Sequence, residues 1–272
     1  MKKILISIML FLMSDFDSFA IENLLFKPLT ANQLEGRIGS IIQTNQDNLR
    51  LDIGASFDLI EFKINDNQLR FGADFFTYTR LRSEKNFKFP VETSDYFFGI
   101  NSSYKTKFLN QAISMRLRLA HISAHLVDGY SKNGNFYKLP FVYSREFADF
   151  TFAIDSLFKS EILPNGIRLY LGHNYVFSNT PDAAETQIFN LGADLDYGLT
   201  NWLDLAAGID FKTGFASDDF SQLAFQIGLN FKTALNRGIF VGYYYFDGIS
   251  LHGLFYNEKD NYSGIGFQIF YN

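Results

Sequence analysis

From Leu49 to Leu59 the chain alternates strictly. Leu49, Leu51, Ile53, Ala55, Phe57 and Leu59 fall on one face, and Arg50, Asp52, Gly54, Ser56 and Asp58 on the other. Period two marks a strand whose two sides meet different surroundings. The pattern returns in Leu69–Phe75, Ile113–Leu119, Leu203–Phe211 and Leu223–Phe231. Extended along the chain, it predicts strands over residues 35–44, 48–62, 67–82, 94–107, 111–123, 137–157, 165–177, 185–198, 202–214, 219–233, 237–248 and 260–271. Most are about eleven to fifteen residues long, beyond the five or six of a soluble strand and enough for a tilted crossing of lipid, which takes roughly nine to eleven.

The connections carry the argument further. Ile64–Gln68, Phe108–Asn110, Gly198–Asn201 and Ala234–Arg237 are tight, whereas the alternate set contains the long loops 83–93, 124–136, 178–184 and 249–259. An even strand count with short turns at one end and long loops at the other is the transmembrane-barrel arrangement. The expected fold is therefore all-β: a transmembrane antiparallel up-and-down β-barrel of about 12 strands. One segment is irregular, because Leu139, Phe141 and Tyr143 are odd whereas Phe150, Phe152 and Ile154 are even. That parity change predicts one long strand, 137–157, with a bulge between Ser144 and Ala148.

Met1-Lys2-Lys3, the apolar run Ile4–Met13, and Ser18 and Ala20 at the exit have the three-part layout of a secretory signal peptide. The apolar run is too short to span a bilayer. The division expected is a bacterial signal peptide over 1–20 cleaved after Ala20, a periplasmic lead or plug over 21–34, and a barrel over 35–272, placed in the outer membrane of a Gram-negative cell. Beyond Ala20 no stretch approaches eighteen continuous apolar residues, which leaves a closed barrel as the way to satisfy a backbone in lipid. At the C-terminus, Ile265, Phe267, Ile269 and Tyr271 share a face. Such an aromatic terminal strand is what barrel-assembly machinery reads, so that machinery and outer-membrane lipid are the expected partners.

Composition sharpens the exclusions. The 272 residues are 18% aromatic, with 32 Phe, 15 Tyr and no Cys, and carry 24 Lys+Arg against 29 Asp+Glu. Without cysteine there is no disulfide scaffold, thiol nucleophile or Cys-ligated metal. A net charge of −5 lacks the basic footprint of a nucleic-acid binder, so no nucleic-acid partner is expected. No phosphate-cradling glycine loop or dinucleotide fingerprint is present, and no cofactor is expected.

The polar face carries charge of both signs. Arg50, Asp52, Asp58, Arg70, Asp74, Arg80, Arg116, Arg118, Arg168, Asp194, Asp196, Asp204, Asp210 and Lys212 are expected to line the lumen, with Tyr170, Phe240, Tyr244 and Phe246 among them. Two readings follow: a charge-lined pore that selects solutes, or a lumen laced shut by ion pairs. Twelve strands lie between barrels filled by side chains and barrels that leave an aqueous channel. The mixed signs and inward aromatics favour a narrow or plugged lumen. The expected role is therefore a structural or narrow-pore one, its ligand unknown.

Three stretches, Phe26–Arg37, Arg116–Asp128 and Gly248–Phe255, resemble an uncharacterised family of bacterial outer-membrane β-barrel proteins grouped as a domain of unknown function. The resemblance implies a location and a fold and brings no activity. In that family an acidic pair usually follows the His-x-Ser-x-His-Leu piece, whereas here Asp128 is followed by Gly129. Locally, His121 and Ser123 share the outward face near the long-loop end of the fifth strand. This His-x-Ser pair is similar to the catalytic arrangement of outer-membrane phospholipase A, also a twelve-stranded barrel, in which an Asn completes the triad. The resemblance implies a lipid acyl hydrolase as the alternative function: Ser123 as nucleophile, His121 as general base and Asn135 orienting the imidazole. The plainer reading makes both residues polar caps where the strand leaves the membrane. His121, His125 and Asp128 are too few for a firm metal site, and no metal is assigned.

Overall fold

The computed structural model describes residues 23–271 apart from 162, 164, 183–184, 216–219 and 234–236. The expected signal peptide lies outside these residues. Twelve strands close into one antiparallel barrel: β1 (Ile38–Gln43), β2 (Asn48–Ile64), β3 (Asn67–Arg82), β4 (Val91–Phe108), β5 (Gln111–Leu126), β8 (Tyr143–Leu157), β9 (Ile167–Thr180), β10 (Gln187–Thr200), β11 (Leu203–Gly214), β12 (Ser221–Lys232), β13 (Arg237–Ile249) and β14 (Lys259–Tyr271). Sequence neighbours pair all the way round, and β1 closes the ring by pairing with both β14 and β2. In the β5–β8 loop, β6 (Ser131–Lys132) and β7 (Asn135–Phe136) form a small separate hairpin.

The tight turns after β2, β4, β10 and β12 fall at one mouth, which also carries the longer connection 158–166, and the loops 83–90, 127–142 and 250–258 fall at the other. The turn between β2 and β3 holds Asn65 in the left-handed region, φ 56°, which asparagine accepts more readily than most side chains. Alternation then sorts the side chains. Ile100, Leu119, Leu171, Leu191, Ile209 and Ile265 all stand exposed on the outer face, Ile100 and Leu191 at 64%. Phe76, Tyr78, Phe97, Phe147, Tyr170, Phe240 and Phe246 point inward and are buried. A continuous exposed apolar belt around a charged and aromatic interior is the inverse of a soluble sandwich and fits lipid outside.

Two irregularities differ from the sequence expectation. The β2–β3 register shifts between Asp58 and Ile60, leaving Leu59 as an extra residue. Beyond it Ile60, Phe62 and Ile64 take the outer face, and Glu61 turns in to meet Arg70 Nη2 at 2.6 Å. The bulge expected between Ser144 and Ala148 is not in β8. That strand begins at Tyr143 and pairs with β5 in unbroken register from Tyr143 to Asp155. Residues 137–142 belong to the preceding loop, where Phe141 packs on the cluster around Leu254 and Phe255. The parity change has another cause: Tyr143 and Phe147 are aromatic residues facing the lumen. The register shift in this region lies on the β9 side, where Phe177 is the extra residue opposite Glu146 and Phe147.

Residues 23–37 form no strand and lie inside the ring. Phe26, Leu29, Ala31, Asn32, Gln33, Glu35 and Arg37 are all buried there. At Gly208 this segment presses on the wall: a Cβ at that position would stand 2.7 Å from Thr30 Cβ. Only glycine leaves room for the approach.

Candidate functional site in the barrel lumen

Charged side chains of the wall hold the inner segment. Asp58 Oδ2 accepts from Leu25 N at 2.7 Å, and Arg70 donates to the Asn23 carbonyl. Arg168 Nη1 donates to Lys27 O at 2.7 Å, and Asp194 Oδ1 accepts from Thr30 N at 3.0 Å. Asp210 accepts from Asn32 Nδ2 at 3.4 Å and from the Tyr170 hydroxyl at 2.9 Å. Arg50 donates to the side chain of Gln33 and, at 3.1 Å, to its carbonyl, while Asp52 pairs with Arg50 Nε at 2.8 Å. Arg116 grips Glu35 with both terminal nitrogens, and Arg118 donates to Leu34 O at 2.9 Å.

Backbone carbonyls and amides of an irregular segment need partners once buried. The wall's arginines supply donors and its aspartates acceptors, residue by residue. Phe26 adds an apolar anchor, with the guanidinium carbons of Arg116 and Arg168 at 4.6 and 4.3 Å from its ring centre. Of the remaining predicted positions, Asp204 pairs with Lys232 at 2.7 Å, and Arg80 pairs with Glu92 at 3.0 Å. Asp74 is buried, within electrostatic reach of Arg116.

Glu35 falls at the start of the strand expected over 35–44, but β1 begins only at Ile38, and Glu35 belongs to the inner segment. Burial pushes its carboxyl up, but Arg116 and Arg118, with Arg37 behind, outweigh that and hold it at about 2. The Arg37 guanidinium also donates to Gln268 Oε1 at 3.0 Å and to the Asn32 carbonyl, turning the chain into β1.

The long-loop mouth is partly capped from within. The β13–β14 connection folds inward so that Leu254 and Phe255 are fully buried. Asp95 on β4 is its anchor, meeting His252 Nδ1 at 2.8 Å and accepting from Gly253 N at 2.7 Å. A Cβ on Gly253 would fall 2.3 Å from the Tyr143 ring, so the loop lies flush against it.

On the outer face, His121 and Ser123 stand as the alternation requires. Asn135 does not join them. It lies exposed in the β6–β7 hairpin opposite Lys132, and among the described residues no hydrogen bond links it to His121. His121 Nδ1 instead meets Glu146 Oε1 at 2.8 Å, the residue directly across from it on β8. The same oxygen accepts from Ser144 Oγ at 2.6 Å, and Ser144 faces Ser123 across the ladder. No hydrogen bond joins Ser123 to His121 among the described residues. Nor does any group of three or more His, Asp or Glu have a metal-holding arrangement there.

The closed ring, apolar belt and polar lumen define an outer-membrane-type β-barrel. The solved structures it resembles are of that class. The Salmonella typhi outer-membrane phospholipase dimer with bound calcium matches with a TM-score of 0.53 at 12% identity, over 92% of this chain and 94% of that one. Outer-membrane phospholipase A from Escherichia coli matches with a TM-score of 0.50 at 13% identity, over 83% and 84%. At such identities the likeness establishes the fold. No curated protein matches the chain. The profile of the family described as protein of unknown function DUF1207 matches residues 21–271, and the chain belongs to that family.

Proposed function

We propose that this is an outer-membrane barrel closed by its own inner segment, a sealed wall protein rather than an open pore. The observation that carries the reading is the engagement of Asp58, Arg70, Arg168, Asp194, Asp210, Arg50, Arg116 and Arg118 with residues 23–35. A selectivity filter keeps its fixed charges available to passing ions; here they are occupied by the chain itself. On this reading residues 1–20 are an export signal removed after Ala20, and the plug, expected over 21–34, extends to Arg37, with the barrel wall beginning at Ile38. The long-loop mouth faces outward, and the strand ending at Tyr271 is offered to the assembly machinery. Planar-bilayer recording tests the closure: the native protein should show no stable conductance steps, and deletion of residues 23–36 should produce them. Stable ohmic steps from the native protein would overturn the reading.

A second reading has one observation in its favour, the His121–Glu146 pair on the outer face at 2.8 Å. In it Glu146, and not Asn135, orients the imidazole and leaves Nε2 free. Ser123 Oγ attacks the acyl carbonyl of a lipid ester, His121 takes the hydroxyl proton and passes it to the departing alcohol. Water then releases the acid by the reverse relay. Apo sites of this kind often hold the nucleophile beyond hydrogen-bond reach. Phospholipid turnover in mixed micelles, lost in both S123A and H121N, would support the hydrolase; turnover unaffected by either, or none in the native protein, removes it.

A further inference from the structure

We propose that the upper lumen is a binding cup for a small organic anion, with Arg145 as the anchor for its acid group. The cup lies between the inner segment and the inward-folded β13–β14 loop and has a volume of about 320 Å³. Asn32, Gln33 and Leu34 form its floor, and Leu251 and Tyr256 close one side. That size sits at the lower end of small-molecule sites, which run from roughly 300 to 1,000 Å³.

Three cations line the cup, and two are already matched. Arg118 pairs with Asp149 at 3.2 Å and donates to Leu34 O. Lys212 pairs with Asp210 at 3.1 Å and donates to Asn32 Oδ1 at 3.2 Å. Arg145 is different. Among the described residues no carboxylate lies within ion-pair distance of it. Its Nη2 donates to Asn174 Oδ1 at 3.3 Å and the guanidinium also reaches the Tyr143 hydroxyl, while its Nε is buried without a partner. The guanidinium carbon stands 5.6 Å from the centre of the Phe147 ring, which fixes the fork in place.

A guanidinium has five N–H donors in a planar fork suited to a carboxylate or phosphate. A buried donor left unmatched costs free energy, and an incoming anion would remove that cost. The lining carboxylates do not compete for the position: Asp149 is held by Arg118, and Glu185 Oε1 accepts from Gln187 N at 2.8 Å. Ile122, Ile188, Leu251 and the rings of Tyr78 and Tyr143 give the remaining wall an apolar and aromatic character. The ligand class is therefore an acid group on an apolar or aromatic body, entering from the long-loop mouth.

The test is calorimetric titration of the full chain in lipid nanodiscs with benzoate, phenyl phosphate and the neutral isostere benzamide. At least one of the two anions should bind saturably, and the stronger of the pair identifies the acid group. Benzamide should bind roughly tenfold or more weakly, and R145Q should lower anion affinity by a similar factor while R145K retains part of it. Heat-modifiable gel mobility equal to the native protein establishes that each variant is folded. No saturable anion binding in the millimolar range overturns the proposal. So does benzamide binding as well as the anions, or R145Q binding as the native protein does. None of these outcomes depends on the conductance result.

Discussion

Glu35 and Arg116 meet inside the barrel in a two-pronged ion pair, Nη1 to Oε2 at 2.9 Å and Nη2 to Oε1 at 2.6 Å, with both side chains at most 4% exposed. One partner belongs to the inner segment and the other to β5, so the pair measures how firmly the lumen is filled.

Removing one side of a buried pair leaves an uncompensated charge, which costs about 3–5 kcal/mol. R116A should therefore lower unfolding free energy in detergent by that order. It should also raise the frequency of conductance steps, since the segment loses its strongest hold. E35Q should cost a similar amount, because it leaves the buried Arg116 cation without its carboxylate even though the amide oxygen still accepts one of its hydrogen bonds. Urea titration followed by gel mobility and bilayer recording measures both effects.

Acid should do the same without mutation. Glu35 is held at about 2 in the folded protein against an ordinary value of 4.5. A carboxyl with a lowered folded value contributes stability that is present above pH 4.5 and lost as pH falls toward about 2, some 3 kcal/mol in all. Protection of residues 23–37 from added protease should hold at neutral pH and fail progressively across that window. In E35Q the window should disappear.

Gly208 reports the position of the segment. G208V would drive a side chain into Thr30, whose Cβ lies 2.7 Å from the site of the missing Cβ. The wall itself can accept valine on a strand. The expected result is a folded, heat-modifiable barrel with open-channel conductance, and a silent barrel would place the segment elsewhere.

On the outer face, I100R should impair assembly. Ile100 is 64% exposed at the middle of β4. An arginine facing lipid near the bilayer midplane costs about 2–4 kcal/mol. I100V, which keeps the lipid-facing side chain apolar, should leave membrane insertion intact, and vesicle-refolding yields distinguish the two.

The strands and the sidedness of their charges were legible because a barrel writes its geometry as alternation: Arg50 beside Leu51 declares two environments. Leu59 escaped notice because a bulge followed by Ile60, Phe62 and Ile64 still looks apolar whichever parity is assumed. Tyr143 and Phe147 misled in the opposite direction, since an aromatic ring is equally at home in lipid and in a packed lumen. The inner segment's role could not be read from periodicity, because an irregular chain has none; its partners are set by what lies across the ring. Glu146 was hidden for a related reason. Its place opposite His121 depends on where β8 starts, and Asn135 was the nearer choice in sequence.

The ring has one narrow link. β1 spans six residues and faces β2 only from Gly39 to Ile42, whereas β2 itself spans seventeen. That short staple follows directly on Arg37, the last residue of the inner segment. Wall and filling are thus consecutive stretches of one chain, joined where the hoop is thinnest. Tension on the filling reaches the seam without passing through any other strand, so the β1–β2 contact is the part of the wall that feels a displaced filling first.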